Sequence, residues 1–240
     1  GEELWAFIPP SLLSKFQFVP NVATSSTNAI YGVDGSPVIK DIYYNGGWKT
    51  VLLSGLGRGG NSYFALDVTD TLNPKHLFTF KNDPVAKFVY YWDAAGNRTD
   101  HDYGPGKTIN PDYDFSKLGE AWSTPKIIRI RIAGADKWVA VFGAGFNNNV
   151  TNDYGSGVFV IDMEDGGKVL KSIALTDNND PNSSPVTNRV KNSLPASVVP
   201  VTADSTSLAK YYGALVYFAD YEGKLWKLNL TSNGTLYDLQ

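Results

Sequence analysis

Apolar runs and turn residues alternate along the chain in a pattern that occurs three times. The first copy is Lys49–Val68 (KTVLLSGLGRGGNSYFALDV), the second is Lys137–Met163 and the third is Ala214–Leu230. In each copy an apolar, β-prone run stops at small or turn-forming residues, and a loop follows. A second run, which carries aromatic residues, then ends in Asp or Asn followed by one apolar residue. Three copies of one hairpin pattern indicate an internal repeat.

Each hairpin extends into a unit of four short strands. The predicted strands of the three units are Gly35–Lys40, Lys49–Ser54, Tyr63–Val68 and His76–Phe80; Ser123–Ile130, Trp138–Phe142, Gly157–Met163 and Lys168–Leu175; and Ala196–Val201, Ala214–Ala219, Lys224–Leu230 and Thr235–Leu239. Four-stranded antiparallel units in tandem are typical of an all-β fold, the β-propeller, in which each unit is one blade. We therefore predict three complete blades that form part of a larger propeller. A β-sandwich is the alternative, but it does not explain the repeated strand pattern.

Two further segments qualify this prediction. Glu3–Pro9 (ELWAFIP) resembles the last strand of an earlier repeat, and Pro10–Lys15 is expected to form one short helical turn. The longest insertion covers residues 81–121, between the first and second units, and is rich in Tyr, Asp, Gly and Asn. We expect it to form an extended loop or a small subdomain on one face. Residues 1–240 are then one propeller domain, or a fragment of one whose start was cut away.

Composition narrows the classes of function. The chain is 42% hydrophobic and 13% aromatic, so it can bury a sizeable core, and its net charge of −3 with no basic patch argues against nucleic-acid binding. No apolar run approaches the roughly 20 residues of a membrane-spanning helix. The absence of Cys excludes disulfides, thiolate metal sites and cysteine nucleophiles. With two His residues and no nucleophile-elbow motif, the sequence does not predict an enzyme.

Oxygen-rich loops are the candidate metal sites. The densest cluster lies in the stretch DNNDPN and consists of Asp177, Asn179 and Asp180. The second lies in DAAGNRTDHD and consists of Asp93, Asn97, Asp100 and Asp102. Such side chains suit calcium, which takes six to eight oxygen ligands. The alternative is that they cap their own backbone in turns or lie in solvent.

The long insertion also holds a group of aromatic residues that are candidates for binding a partner. They are Tyr90, Tyr91, Trp92, Tyr103 and Tyr113. Rigid aromatic side chains often anchor protein interfaces, but the insertion could equally use them for a core of its own. The glycine-rich stretch Gly55–Asn61 is expected to be a hairpin turn rather than a phosphate-binding loop, because a strand and not a helix follows it. Arg58 at its tip could make a surface contact.

Several of these motifs occur together in one known family. The chain contains GEELWAFIPPSLL, then YGVDGSPVIKD, GRGGNSYFALDVT, WVAVFGAGFNN and FADYEGKLWKLNL, in that order. This series resembles the C-terminal propeller domain of the PilC/PilY family of type IV pilus-associated adhesins. The resemblance implies a Gram-negative, extracellular protein at the pilus tip or the outer-membrane surface. It also implies roles in pilus biogenesis and adhesion, with pilus subunits and a host or surface receptor as partners.

The resemblance further implies calcium regulation, but the expected calcium loop is reduced here. In the corresponding stretch Val201–Asp220, only Asp204 could sit in that loop, and the run of alternating oxygen ligands is absent. The sequence therefore does not predict calcium at that position. No organic cofactor is expected. The alternative function is a quinoprotein-like dehydrogenase, which uses pyrroloquinoline quinone and calcium on a similar propeller. It predicts a central funnel lined by carboxylate, amide and Arg side chains.

Overall fold

The computed structural model describes residues 2–19, 30–147, 154–175, 193–202 and 213–230, together with the backbone of 238–239. Within these ranges the chain forms 14 strands in three antiparallel sheets of six, four and four strands. Strands that follow each other in the sequence are neighbours in their sheet. The repeated hairpins therefore become three separate sheets, and the described residues do not close them into a ring.

The first sheet contains β1 (Val38–Tyr44), β2 (Gly47–Gly55), β3 (Ser62–Asp67), β4 (Lys75–Asp83), β5 (Phe88–Trp92) and β6 (Arg98–Asp102). The turn between β1 and β2 consists of Asn45 and Gly46, which have φ angles of 50° and 78°. Positive φ at both central residues is the requirement of a tight two-residue hairpin, and Asn-Gly meets it at low cost. The four strands predicted for this unit are confirmed, although β1 begins three residues later than Gly35.

The second sheet contains β7 (Lys126–Ile132), β8 (Ala135–Gly143), β9 (Gly157–Asp162) and β10 (Val169–Ala174). The third contains β11 (Val199–Thr202), β12 (Ala214–Ala219), β13 (Leu225–Asn229) and β14 (Asp238–Leu239). First strands of successive sheets contact each other, β1 with β7 and β7 with β11. These first strands therefore lie on the inner side of the stack, as the inner strands of propeller blades do.

The central strands of the middle sheet, β9 and the second half of β8, are buried on both faces, and this explains their sequence. In β8, Ala140 and Phe142 pack toward the first sheet, whereas Val139 and Val141 pack toward the third. Every residue of β9 is buried. A strand with two covered faces is expected to have a continuous apolar run rather than an alternating pattern. The β9 sequence, GVFVID, has such a run. Stacking of the sheets face to face thus supplies the two main cores.

Ser123 joins all three sheets through hydrogen bonds, two of them buried and one partly buried. The Tyr63 hydroxyl in β3 donates to the Ser123 carbonyl oxygen at 2.7 Å. The Ser123 hydroxyl accepts from the Gly143 N–H at 2.9 Å and donates to the Ala196 carbonyl oxygen at 2.8 Å. Because Ser123 is only 1% exposed, these bonds hold the segment before β7 at a fixed position between its neighbours.

The insertion at residues 81–121 does not form a separate loop or subdomain. Lys81–Asp83 complete β4, and β5 and β6 then extend the first sheet to six strands. The remainder returns across the inner face and places Phe115 and Leu118, both fully buried, in the core between the first two sheets. The expectation was wrong because residues 88–102 pair as two further strands at the edge of the first sheet. Aromatic side chains in β5 and charged side chains in β6 stand at alternate positions, as in a strand.

The N-terminal segment also differs from the prediction. Glu3–Pro9 forms no strand and instead crosses the outer face of the first sheet, where Phe7 packs 5.4 Å from the Phe64 ring. Its proline end has no N–H donors for a sheet ladder, so the segment covers the sheet with side chains rather than pairing with it. The helical turn is confirmed, as a 3₁₀ turn at Pro10–Leu12 and α1 (Leu13–Phe16). No helix within the described ranges is long and apolar enough to cross a membrane.

Candidate functional site

A cleft of about 660 Å³ lies at the end of the sheets where their first strands begin. Each sheet contributes the segment that leads into its first strand and the turn between its second and third strands. We call it the sheet-end cleft, and it is lined by Tyr31, Arg58, Glu120, Trp122, Phe146, Pro195 and Tyr221. The repeat therefore brings equivalent positions of three units together, although they are far apart in the sequence.

Backbone hydrogen bonds between neighbouring sheets fix the floor of the cleft. The Gly57 N–H in the β2–β3 turn donates to the Ala121 carbonyl oxygen at 3.0 Å, and the Ala121 N–H donates to the Gly60 carbonyl oxygen at 3.0 Å. The next pair of sheets repeats this contact, with the Gly145 N–H donating to the Leu194 carbonyl oxygen at 3.1 Å. Each lead-in segment is thus held by the turn of the preceding sheet.

Each lead-in is also bonded to the turn of its own sheet. Glu120 and Phe146 exchange two backbone hydrogen bonds of 2.9 Å, and the Tyr221 N–H donates to the Ser193 carbonyl oxygen at 2.8 Å. Gly145 has a φ of 96°, and a Cβ placed there would lie 2.0 Å from the Glu120 carbonyl oxygen. Glycine is needed at this position both for its conformation and for the close approach of the two backbones.

Arg58 occupies the middle of this arrangement. Its guanidinium lies 5.4 Å from the Tyr31 ring centre and 5.5 Å from the Trp122 ring centre, and its Nη1 donates to the Tyr31 hydroxyl at 3.1 Å. The side chain is exposed and forms no ion pair with a carboxylate of the described residues. The hydrogen bond to Tyr31 raises the pKa of Arg58, which keeps the cation fully charged.

A row of aromatic rings continues from Arg58 toward the third sheet. Trp122 lies 6.5 Å from Phe146, and Phe146 lies 5.8 Å from Tyr221, in both cases with the rings edge to face. The Trp122 indole N–H donates to Glu120 Oε2 at 2.8 Å, which fixes the orientation of the indole. Tyr221 is 58% exposed and Trp122 is 39% exposed. The row is an open apolar wall beside a fixed cation.

The aromatic residues predicted to bind a partner divide between two faces of the β5–β6 hairpin. Tyr91, Tyr103 and Tyr113 point inward. The Tyr91 hydroxyl donates to the Gly166 carbonyl oxygen at 2.9 Å, and its ring lies 4.6 Å from Tyr113. The Tyr103 hydroxyl donates to Asn82 Oδ1 at 2.8 Å. Burial raises the pKa of both Tyr91 and Tyr103, so their hydroxyls stay protonated as donors. Tyr91 belongs to the core between the first two sheets, and Tyr103 and Tyr113 pack against it. They serve that shared core rather than a separate core of the insertion, and partner binding by them stays a prediction.

Tyr90 and Trp92 lie on the opposite, half-buried face together with Phe88. The Tyr90 ring is 6.1 Å from Phe88 and 6.3 Å from Trp92. The Arg98 guanidinium and the Lys81 ammonium lie 5.2 Å and 5.9 Å from the Tyr90 ring centre. We call this surface, formed by these three rings and two cations, the hairpin face. Partner binding by Tyr90 and Trp92 stays a prediction.

The second predicted metal cluster uses its oxygens locally. Asp93 accepts hydrogen bonds from the Ala95 and Asn97 N–H groups, and from the Asn97 side-chain amide, within the β5–β6 turn. These bonds, the Asn97 side chain first, lower the pKa of Asp93. Asp100 forms an ion pair with Arg98 at 2.8 Å, and Asp102 accepts from the Gly104 N–H at 2.8 Å.

The structure therefore separates the cluster into a turn cap, an ion pair and a second cap. No group of three or more His, Asp or Glu side chains in the described ranges is arranged to hold a metal ion. The first predicted cluster, Asp177, Asn179 and Asp180, lies outside the described residues. Calcium binding at both places stays a prediction.

The sequence located Arg58 at the tip of a hairpin turn, and the turn is confirmed by the 3₁₀ segment Gly57–Gly59 between two strands. It did not predict the cleft, because no single stretch contains it. The available signal was the repeat itself, which places Arg58 and Phe146 at the same step after their second strands and Trp122 just before a first strand. Superposing the repeats would have gathered these residues at one end of the sheets.

Comparison with known proteins agrees with the architecture. Residues 22–235 match the family model described as the PilY1 beta-propeller domain. The chain is 31% identical over 231 residues to a type IV pilus biogenesis factor PilY1 homolog of Xylella fastidiosa, covering 96% of this chain and 13% of the relative. It is 28% identical over 235 residues to type IV pilus biogenesis factor PilY1 of Pseudomonas aeruginosa, covering 97% of this chain and 16% of the relative. The chain thus spans less than a fifth of the length of these curated relatives.

The crystal structure of the Pseudomonas aeruginosa PilY1 C-terminal domain superposes with a TM-score of 0.59 at 28% identity, covering 96% of this chain and 35% of that one. This confirms both the propeller fold and the family resemblance drawn from the sequence motifs. Because the family model matches residues 22–235, nearly the whole chain, the chain belongs to the PilY1 beta-propeller domain family.

Proposed function

We propose that this chain is a propeller segment of a type IV pilus biogenesis factor, acting at the pilus tip or outer-membrane surface of a Gram-negative bacterium. The observation that carries the proposal is the family match over residues 22–235, together with relatives that are named as pilus biogenesis factors. In this proposal the chain supports pilus assembly and adhesion as a binding module, without catalysis. Its partners are pilus subunits and a host or surface receptor.

The hairpin face is the surface that we assign to adhesion. It lies at the end of the first sheet that is distant from the inner strands, because β5 and β6 are the outermost strands of that sheet. Aromatic residues and Arg are enriched in protein interfaces relative to other surfaces, and the hairpin face carries Tyr90, Trp92 and Arg98 side by side. A rigid sheet below it holds these side chains in place for recognition.

The composition of the sheet-end cleft favours binding over the dehydrogenase alternative. That alternative predicted a funnel of carboxylate, amide and Arg side chains, whereas the cleft contains Arg58 and Glu120 within a mainly aromatic lining. The relatives also carry pilus biogenesis names rather than enzyme names. Both observations support the non-enzymatic reading.

Calcium regulation belongs to the proposal through the oxygen-rich sequence cluster Asp177, Asn179 and Asp180. Its test is a calcium titration of the purified chain followed by thermal melting. We expect calcium to raise the melting temperature, and the double variant Asp177→Asn, Asp180→Asn to remove that rise. The matched pair Asp100→Asn, Asp102→Asn should leave the rise intact, since those carboxylates serve an ion pair and a turn. If the calcium-dependent rise in melting temperature persists in the Asp177, Asp180 variant and is lost in the Asp100, Asp102 variant, the calcium site lies in the β5–β6 hairpin.

The adhesive role is tested best with point variants in the native bacterium. Deleting the insertion would also remove Tyr91 and Phe115 from the core, so a loss of function would be uninformative. The double variant Tyr90→Ser, Trp92→Ser changes only the hairpin face. We expect surface attachment to fall at least tenfold while the protein level is kept, because aromatic anchors carry much of the energy of an interface.

The matched control is Val85→Ser, since Val85 is 92% exposed on the neighbouring β4–β5 turn. Surface pili and twitching motility are measured in the same strains. A separate strain that lacks residues 22–235 tests the biogenesis role, and we expect it to lose surface pili. Normal attachment in the hairpin-face variant would refute the adhesive assignment, and normal piliation in the deletion strain would refute the biogenesis role of this segment.

A further inference from the structure

We propose that the sheet-end cleft binds an extended peptide segment carrying one acidic group, with Arg58 as the residue that binds the carboxylate. This inference concerns a site different from the hairpin face. It does not depend on the pilus assignment, because it is drawn from the charge, rings and backbone of the cleft alone.

The first support is an oriented cation without a carboxylate partner among the described residues. The Arg58 guanidinium lies within 5.5 Å of the Tyr31 and Trp122 ring centres, and its Nη1 donates to the Tyr31 hydroxyl at 3.1 Å. The side chain is exposed and lines the cleft. A guanidinium presents its donors as a planar fork that matches a carboxylate through two parallel hydrogen bonds. The two nearby rings and the hydrogen bond to Tyr31 favour one placement of this fork before any ligand arrives.

The second support is the row of rings beside that cation. Ring-to-ring steps of 6.5 Å and 5.8 Å lead from Trp122 through Phe146 to Tyr221. These two steps cover about three or four residues of extended peptide at roughly 3.3 Å per residue. Because Trp122 and Tyr221 keep substantial exposure, the wall is open along its length. An open wall suits a chain that enters and leaves the cleft better than a fully enclosed small molecule.

Glu120 restricts the charge of the ligand. Its carboxylate accepts the Trp122 indole N–H and remains in the lining of the cleft. A peptide with several acidic residues would be repelled by the Glu120 carboxylate. A peptide with a single carboxylate could bind Arg58 while its neutral or apolar residues contact the aromatic rings. The cleft therefore selects one Asp or Glu side chain, or a C-terminal carboxylate, flanked by apolar residues.

The third support is the rigidity of the frame. The lead-in at Glu120–Trp122 is bonded to the preceding turn through Gly57 and to its own turn through Phe146. Binding sites that are ordered before the ligand arrives lose less conformational entropy on binding. The cleft therefore meets the physical requirements for peptide recognition with its own residues.

The test uses the purified full chain on arrays of random hexapeptides that are acetylated and amidated, so that only side chains supply carboxylates. A second array with free C termini distinguishes a terminal carboxylate from an Asp or Glu side chain. We expect selection of peptides with one carboxylate next to apolar or aromatic residues on at least one array. The dissociation constants of the selected peptides should rise about 10- to 100-fold in Arg58→Gln, the range for losing a hydrogen bond to a charged group.

The control is Arg129→Gln, which removes an equal charge from an exposed arginine paired with Asp136 on the second sheet. It should bind the selected peptides as the unmodified chain does. Trp122→Leu should weaken binding of peptides with aromatic residues, and unchanged melting temperatures would show that the variants are folded. The proposal is overturned if the chain selects no peptides, if it selects basic ones, or if Arg58→Gln binds the selected peptides equally well.

Discussion

Replacing Ser123 by Ala should destabilise the chain by more than a serine-to-alanine change normally does. The substitution removes one oxygen and creates almost no cavity, so its effect is that of lost hydrogen bonds. The Gly143 N–H loses its acceptor at 2.9 Å, and the Ala196 carbonyl oxygen loses its donor at 2.8 Å. The first of these bonds is buried and the second is partly buried.

The magnitude follows from this difference in burial. A buried N–H left without a partner costs about 1 to 3 kcal/mol, and a partly buried carbonyl that water can reach costs less than about 1 kcal/mol. We therefore expect the free energy of unfolding to fall by about 1 to 4 kcal/mol. With a denaturant slope of about 2 kcal/mol per molar urea, a loss of about 2 kcal/mol would shift the midpoint by about 1 M.

Urea titrations followed by far-ultraviolet circular dichroism measure this shift. The matched control is Ser197→Ala, because Ser197 also lies just before the first strand of a sheet, two residues ahead of β11, but is exposed. We expect its effect to stay within about 0.5 kcal/mol, as for most surface substitutions. Equal losses in the two variants would refute the reasoning that Ser123 fastens neighbouring sheets together.

Three further outcomes are expected from other parts of the structure. Gly145→Ala should lower the free energy of unfolding by about 2 to 4 kcal/mol in thermal melting, since the new Cβ would lie 2.0 Å from a backbone oxygen. Its control, Gly223→Ala, should lower it by only about 1 kcal/mol, because Gly223 has a φ of 86° but no atom within 4 Å of the new Cβ. Tyr91→Phe should lower the free energy of unfolding by about 1 kcal/mol in urea titrations, because it removes the hydrogen bond that the Tyr91 hydroxyl donates. Burial lowers the pKa of His76 and His101 below the ordinary 6.5, so stability should be fully present above pH 6.5 and fall as the pH drops through their folded-state pKa values. Urea titrations at pH 7.5 and 5 should show a smaller loss in the double Gln variant than in the unmodified chain.

The strands that could be predicted from the sequence are those whose apolar runs are set by sheet stacking. For β12 the predicted and observed bounds coincide at Ala214–Ala219, and β2, β3, β8 and β9 differ by a few residues at their ends. β9, buried at every position, leaves a continuous apolar run, and β12 alternates buried and less buried positions with the period of a strand. The turns themselves, such as Asn45–Gly46, add the required positive φ.

The strands that could not be predicted are held by their partners rather than by their own residues. The sequence RTDHD in β6 has little strand propensity, and it is extended because it pairs with β5 through a turn capped by Asp93. Tertiary context of this kind overrides intrinsic preference. Conversely, ELWAFIP has a strand-like pattern because Phe7 packs on a sheet face. An apolar residue is needed at such a position whether or not its backbone pairs with a strand, so the sequence pattern is the same in both cases.

The candidate site depended even more on long-range placement. Tyr31 and Tyr221 lie at opposite ends of the described chain, and only the stacking of three repeats brings them to one cleft. The prediction that function lies in the insertion was tied to residue type, and it grouped Tyr90 with Tyr91 although neighbouring residues of a strand face opposite sides. Register, which decides this, is set by pairing with β4.

The position of β6 also bears on the solubility of the protein. As the last strand of a six-stranded sheet, it exposes backbone donors and acceptors that could pair with a strand of another molecule. Every second side chain of β6 is charged, with Arg98 and Asp100 joined in an ion pair and Asp102 next along the same face. An incoming strand would have to bury these charges, so the blade can extend outward by two strands without becoming a starting point for edge-to-edge aggregation.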